Sequence, residues 1–199
     1  MKKVLKFKEL GFKVIITQDE FESSPRECLD EGTKMIVFHD AIRGDKNIYS
    51  HKDYDSWSEM EKAIINNDNP AVILPIYLYE HSGLSISTTP FSCSWDSGQI
   101  GFILMDKKMA AAEMNKKIVT AKVRENAIKI LIDEVKLYDQ YLNNDVYYFS
   151  VKDLKTKDEV NSCGGFYGDT DDNGIFDYLD IEGLTFERYK EVFNEAEFV

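Results

Sequence analysis

The residues of this chain best suited to chemistry lie between positions 91 and 101. The stretch reads Phe-Ser-Cys-Ser-Trp-Asp-Ser-Gly-Gln-Ile-Gly and contains a thiol, a carboxylate and an amide at Cys93, Asp96 and Gln99. A cysteine nucleophile needs a base that takes its proton, and that base often has a carboxylate partner. His81 could supply the base, and the Gln99 amide could donate a hydrogen bond to an oxyanion. The pattern predicts a site with Cys93 as nucleophile, His81 as base, and Asp96 and Gln99 in support.

Two interpretations of the same segment involve no catalysis. Cys93 can be a buried thiol that packs as a small hydrophobic group, with His81 bonded to backbone. Alternatively, the polar residues can brace a connection between two strands, with Asp96 and Ser97 bonding to backbone N–H groups. Rapid labelling of Cys93 at neutral pH would favour the nucleophile, and slow labelling would favour a structural role.

Metal-binding patterns in the chain are weak. Structural zinc sites usually show closely spaced ligand pairs, and no such pair occurs among the candidate ligands His39, His51, His81, Cys93 and Cys163. Residues 169–174, Asp-Thr-Asp-Asp-Asn-Gly, match the first half of an EF-hand calcium loop, but position 12 is Asp180 rather than Glu. We expect an acidic turn there, with weak calcium binding as the alternative, and no cofactor.

The net charge of −12 is unevenly distributed. Positions 158–199 hold twelve acidic and two basic residues, which leaves this region at about −10. Such acidity can serve solubility alone, or it can present carboxylates to the Lys and Arg of a surface built for phosphates. The chain has no basic stripe, which argues against direct binding of nucleic acid. The candidate binding residues are Asp169, Asp171, Asp172, Asp177, Asp180, Glu182, Glu187 and Glu191.

Periodic apolar residues predict the elements that position these side chains. From Thr120 to Leu142 apolar residues recur at intervals of three and four, which predicts an amphipathic helix of about six turns. Strand-like runs precede and follow this helix, and a shorter helical pattern closes the chain. This order predicts an α+β fold with a mostly antiparallel sheet. We expect a single domain over residues 1–199, with 169–199 as an appended acidic loop and C-terminal helix.

The cellular compartment is predicted from what the sequence contains. No run approaches the roughly 20 apolar residues that span a membrane, so we expect no membrane partner. The first eight residues alternate charged and apolar side chains, which indicates a strand rather than a signal peptide. Three cysteines form a sparse, odd-numbered set, which is typical of a reducing compartment. A cytoplasmic protein is therefore expected.

Four segments resemble a family of small proteins carried by bacteriophages and other mobile elements, largely without assigned function. They are residues 74–83 (Leu-Pro-Ile-Tyr-Leu-Tyr-Glu-His-Ser-Gly), 91–102 (the cysteine segment and Phe102), 138–142 (Tyr-Asp-Gln-Tyr-Leu) and 162–168 (Ser-Cys-Gly-Gly-Phe-Tyr-Gly). The family usually has Trp where this chain has Gly164, and the acidic region from Asp169 lies outside the resemblance. The resemblance implies a mobile-element accessory protein but no particular chemistry.

Genes of this kind commonly antagonise host defence, and anti-CRISPR and anti-restriction proteins are often small and acidic. We therefore expect an acidic, phage-type protein in the bacterial host cytoplasm that binds and inhibits a nucleic-acid-handling defence system by mimicking nucleic acid. Its expected partner is a bacterial defence protein with a basic surface, and the oligomeric state is open. The alternative is a cysteine-dependent hydrolase or transferase, using Cys93 and His81, that acts on a defence signal or a host protein.

Overall fold

The computed structural model describes residues 2–20, 23–27, 32–168 and 173–197. Within these ranges the chain forms eight strands in two antiparallel sheets, together with four α-helices, so the predicted α+β class is confirmed. The strands are β1 (Lys2–Phe7), β2 (Phe12–Gln18), β3 (Thr33–Val37), β4 (Val72–Glu80), β5 (Leu84–Ser87), β6 (Ser97–Met105), β7 (Val146–Asp153) and β8 (Glu159–Tyr167). The helices are α1 (Trp57–Asp68), α2 (Lys107–Ala112), α3 (Ala121–Leu142) and α4 (Phe186–Glu195).

The chain divides into two compact units, one of residues 1–23 and 140–199 and the other of residues 24–139. Each unit contains one of the two sheets. The single domain expected from the sequence stays a prediction. None of the helices that the structure describes is long and apolar enough to cross a membrane.

The first unit is built on a sheet of order β1-β2-β7-β8. Alternation along β1 and β2 buries Leu5, Phe7, Val14 and Ile16, as expected for a sheet with one covered face. Helix α4 begins after Thr185, whose side chain accepts a hydrogen bond from the Arg188 N–H. The C-terminal region then contributes a large share of the core: Ile175, Leu179, Ile181, Tyr189, Val192 and Phe193.

The second unit is built on a sheet of order β3-β6-β4-β5, and α1 packs against it. Ile36, Met60 and Phe102 meet in its core. Gly101 on β6 is required by the close approach of β3, because a Cβ there would lie 1.9 Å from the Ile36 carbonyl oxygen. Strand β6 therefore lies against β3 only because position 101 has no side chain.

Pro75 in β4 shows how the sheet accommodates a residue without an N–H. Strand β5 pairs with β4 only from Tyr77 onward, so at Pro75 the strand has one neighbour, β6. The pairing of β4 with β6 also shifts register between Ile76 and Tyr77. An edge position and a nearby bulge are the usual settings of a proline within a strand.

Helix α3 confirms the long amphipathic helix. It buries Val123, Ala127, Leu131, Val135 and Tyr138, which are the positions that recur at three and four. Ile128 belongs to the same series of apolar residues but is 37% exposed. The buried face of α3 is therefore narrower than the face marked by apolar residues in the sequence.

Candidate functional site

Antiparallel pairing of β4 with β6 brings the candidate thiol site together. His81 follows the last residue of β4, and Asp96 precedes the first residue of β6. Tyr79 pairs with Ser97, and the Glu80 N–H donates to the Asp96 carbonyl oxygen at 2.8 Å. Residues fifteen positions apart in sequence therefore meet at one edge of the sheet.

Asp96 is the residue that Cys93 and His81 share. Its Oδ2 accepts a hydrogen bond from the Cys93 Sγ at 3.4 Å and lies 3.7 Å from His81 Nδ1. Within the described part of the chain, no hydrogen bond joins His81 directly to Cys93. The carboxylate thus lies between thiol and imidazole, whereas the sequence pattern predicts the imidazole in the middle.

Two further polar groups hold the segment in place. The Ser97 hydroxyl donates to the Cys93 carbonyl oxygen at 2.5 Å, which closes the turn before β6. The Gln99 side-chain amide donates to the Gly101 carbonyl oxygen at 3.2 Å. This hydrogen bond lies within β6, and the role of Gln99 as an oxyanion donor stays a prediction.

The cluster is open to solvent. The His81 side chain is 66% exposed and that of Asp96 is 38% exposed, while Cys93 is partly buried. Trp95 is 95% exposed, and within the described residues its ring contacts no other ring. Solvent at this site screens the electrostatic interactions on which most active sites depend.

A shallow depression of about 310 Å³ lies beside the cluster. Its lining includes Trp95 and Asp96 together with a second imidazole and carboxylate, His39 and Glu80, whose Nε2 and Oε2 are 3.6 Å apart. The sequence suggested His39 only as a possible metal ligand. His39 lies next to Glu80 because β3 and β4 flank β6 in the sheet. No pattern of neighbouring residues in the sequence predicts that strand order.

The acidic residues of the C-terminal region are exposed wherever the structure describes them. Asp177 lies on a short 3₁₀ helix, Asp180 and Glu182 follow it, and Glu187 and Glu191 lie on α4. The other three predicted binding residues, Asp169, Asp171 and Asp172, lie outside the described residues.

One ion-pair network involves this acidic region. Arg188 lies 2.8 Å from Glu9 and 2.7 Å from Glu191. Its hydrogen bond lowers the pKa of the Glu9 carboxyl, while the bonds to both carboxylates raise the pKa of the Arg188 guanidinium. In the described ranges, Asp177, Asp180, Glu182 and Glu187 make no ion pair.

The metal alternatives gain no support from the described residues. Among them, no three His, Cys, Asp or Glu side chains are grouped so that they could hold an ion. Cys163 is exposed on β8 in the first unit, where its Sγ lies 3.7 Å from the Gly164 carbonyl oxygen. The loop that resembles a calcium site begins outside the described residues, so weak calcium binding stays a prediction.

No protein-family model, no curated protein and no solved structure matches this chain. The resemblance to bacteriophage and mobile-element proteins therefore stays a prediction.

Proposed function

We propose that this chain is an acidic accessory protein of a bacteriophage or another mobile element. It binds a basic surface of a bacterial nucleic-acid-handling defence protein and inhibits it, as anti-CRISPR and anti-restriction proteins do. One observation above all supports the proposal. All five candidate carboxylates that the structure describes are exposed on one compact unit: Asp177, Asp180, Glu182, Glu187 and Glu191.

The charge of that unit gives the exposed carboxylates their significance. Residues 1–23 and 140–199 contain 10 Lys and Arg against 18 Asp and Glu, so eight negative charges are in excess. Glu187 and Glu191 are four residues apart on α4, where like charges destabilise a helix by about 0.2–0.5 kcal/mol. Arg188 offsets this repulsion at Glu191 only. A cationic partner would relieve the remainder.

In this mechanism the carboxylates take the place of phosphates. A protein that handles nucleic acid has Lys and Arg side chains arranged to neutralise a phosphate backbone. Carboxylates on a folded surface can occupy the same cations and block the nucleic acid. Exposed pairs of this kind are screened over about 10 Å at 0.1 M salt, so binding should weaken steeply as salt rises.

Affinity capture from a bacterial lysate, washed at low and high salt, tests the proposal. We expect one dominant nucleic-acid-handling protein, identified by mass spectrometry, that is retained at low salt and lost at high salt. The decisive bait has its unpaired carboxylates neutralised: Asp177→Asn, Asp180→Asn, Glu182→Gln and Glu187→Gln. It should fold normally and fail to capture that protein.

A control bait receives the same change of charge at exposed positions in the second unit: Asp40→Asn, Asp53→Asn, Glu113→Gln and Asp133→Asn. It should capture the partner nearly as well as the wild type. If the control bait loses the partner to the same extent as the first variant, net charge rather than the C-terminal carboxylates attracts the partner. Capture that survives high salt or the first variant would contradict the proposal.

A second candidate function is a cysteine-dependent hydrolase or transferase. It is favoured by the single oxygen of Asp96 that contacts both Cys93 and His81, because this arrangement offers the thiol proton a route to the imidazole. Labelling with a maleimide at neutral pH tests it, with the exposed Cys163 as the internal reference. A reactive Cys93 should label faster than Cys163, and Asp96→Asn should change its rate. Slower labelling of Cys93, indifferent to Asp96→Asn, would remove this function.

A further inference from the structure

The second unit contains a depression whose charge is opposite to that of the protein as a whole. Its volume is about 670 Å³, and it is formed by α2, the connection that follows it and the first turn of α3. Five of the described lining residues are cationic: Lys107, Lys108, Lys116, Lys117 and Arg124. The others are small or aliphatic: Ala111, Ala112, Ile118 and Val119. None of the described lining residues is acidic.

The concentration of positive charge is local. Residues 24–139 contain 14 Lys and Arg and 18 Asp and Glu, and of these six basic residues and one acidic residue fall within 107–124. The rest of the unit therefore holds eight basic and seventeen acidic residues. A segment with an excess of five positive charges thus belongs to a unit whose other residues carry an excess of nine negative charges.

Folding does not explain these cations. Lys108, Lys116 and Lys117 are exposed, and they make no ion pair with any residue that the structure describes. Their mutual repulsion costs stability, and no ion pair among the described residues offsets it. Two other cations are held in place by neutral groups, since Lys107 Nζ donates to the Asn69 side chain and Arg124 Nη1 to the Ala71 carbonyl oxygen. The remaining N–H groups of Arg124 are free to face an anion.

We propose that this cationic depression binds a compact polyphosphate, either inorganic or carried by a small organic molecule such as a nucleoside triphosphate. Phosphate oxygens are acceptors that Lys and Arg bind with short, charge-assisted hydrogen bonds. The volume falls within the range of about 300–1,000 Å³ that small-molecule sites occupy. This site is independent of the carboxylates that carry the proposed function.

The acidic balance of the rest of the unit favours a small ligand over an extended one. A nucleic acid or an anionic membrane would extend beyond the depression and face a unit whose other residues carry an excess of nine negative charges. A ligand confined to the depression meets only its cations. The exposed side chain of Ile118, 69% accessible, also offers apolar surface to the organic part of a nucleotide.

Isothermal titration of the full chain with ATP and with sodium tripolyphosphate, in low salt without magnesium, tests the proposal. We expect saturable binding of one ligand per chain for at least one of the two probes. Tighter binding of ATP would identify an organic polyphosphate, and equal binding of both would assign the affinity to the phosphates. The triple variant Lys108→Gln, Lys116→Gln, Lys117→Gln should reduce the affinity by at least about tenfold.

The matched control removes three exposed lysines of the same unit outside the depression: Lys52→Gln, Lys62→Gln and Lys136→Gln. It should bind within about twofold of the wild type, because only distant, screened charges have changed. Equal losses in the two triple variants, or no saturable binding of either probe, would overturn the proposal. Tighter binding of a single-stranded oligonucleotide or of phosphatidylglycerol vesicles than of either probe would also overturn it.

Discussion

At the scale of single residues, the least expected feature is a buried ion network in the second unit. Arg26 lies 2.7 Å from Glu134 on α3 and is also paired with Asp45. The Arg26 and Glu134 side chains are only 7% and 9% exposed. Asp45 in addition accepts a hydrogen bond from the Met35 N–H at 2.7 Å. The network thus ties a loop, a strand and a helix together.

Glu134 gives the network a pH dependence. Burial raises the pKa of its carboxyl above the ordinary value of 4.5, although the Arg26 charge and hydrogen bonds from Thr33 and Arg26 oppose the shift. The folded chain then holds this proton more tightly than the unfolded chain does. The contribution of Glu134 to stability is therefore greatest below pH 4.5 and declines as pH rises through the raised pKa.

Glu134→Gln removes this titration and keeps the hydrogen-bonding shape. We expect the wild type to lose stability relative to the Gln variant between pH 4.5 and neutral pH, as measured by urea unfolding at both values. The exposed Glu125→Gln on the same helix serves as control and should show no such trend. A wild type that gains stability relative to Glu134→Gln would show that the Arg26 charge outweighs burial.

At the scale of elements, α1 shows how one sequence pattern offers two helix starts. Ser56 and Ser58 each precede a Glu by three residues, which is the spacing of a capping box in both cases. The structure uses the first: Ser56 Oγ accepts from the Glu59 N–H at 3.2 Å, and Glu59 Oε2 accepts from the Asp55 N–H at 2.8 Å. With this start Trp57 is the first helical residue, and its ring packs edge-on against that of Phe102.

The two serines therefore make a matched pair of variants. Ser56→Ala should cost about 1 kcal/mol of unfolding free energy, because it removes the side-chain acceptor of the Glu59 N–H. Ser58→Ala should change stability by no more than about 0.5 kcal/mol, as is usual at an exposed position. Urea unfolding of both variants checks this, and the reverse order of effects would place the helix start two residues later.

A second contact between elements protects the edge strand β5. Strand β5 lies at the end of its sheet, and its outer backbone groups have no strand partner there. Asp139 on α3 supplies one, since its Oδ1 accepts from the Ile86 N–H at 2.7 Å and from the Ser85 hydroxyl at 2.9 Å. The carboxylate thus anchors the edge of the sheet to the helix.

Asp139→Ala should cost about 1–3 kcal/mol, because it leaves the N–H of the buried Ile86 without an acceptor. Urea unfolding gives the stability, and hydrogen exchange at the Ile86 amide should become faster. Asp133→Ala, at an exposed position on the same helix, should have little effect on either. Unchanged exchange at Ile86 would mean that the carboxylate does not hold the strand.

At the scale of the whole molecule, the described part of the C-terminal region contributes side chains to the core of the first unit. Tyr189 is 1% exposed, and its ring lies 5.5 Å from that of Phe176 and 5.7 Å from that of Phe193. The sheet residues Leu5, Phe7 and Phe149 belong to the same buried cluster. The acidic surface is therefore supported by the packing of the first unit.

Tyr189→Ala should cost the first unit about 3–5 kcal/mol, as large truncations in cores do. The matched control is Phe186→Ala on the same helix, whose side chain is 45% exposed and should matter less. Hydrogen exchange along β7 distinguishes a C-terminal region that supports the core of the first unit from an appended element. If residues 169–199 were an appended element, Tyr189→Ala would loosen α4 and leave the amides of β7 as protected as before.

Much of the fold was predictable because its signals are local. Strands β1 and β2 follow apolar residues at a period of two, and α3 and α4 follow apolar residues at three and four, and these periods are visible in the sequence. The burial of Glu134 was also predictable, because it follows the buried Ala127 by seven residues and so lies on the covered face of α3. Its pairing with Arg26, more than one hundred residues away, was not predictable from the sequence.

The sequence by itself determined the elements, the uneven charge and the proximity of Cys93 to Asp96, because each depends on neighbours along the chain. Only the tertiary structure decided that β4 pairs with β6, and hence that Asp96 lies between the thiol and His81. It also decided that the cations of residues 107–124 line one depression. Strand order and the approach of distant segments are set by how buried surfaces fit together, and that fit is a property of the folded chain.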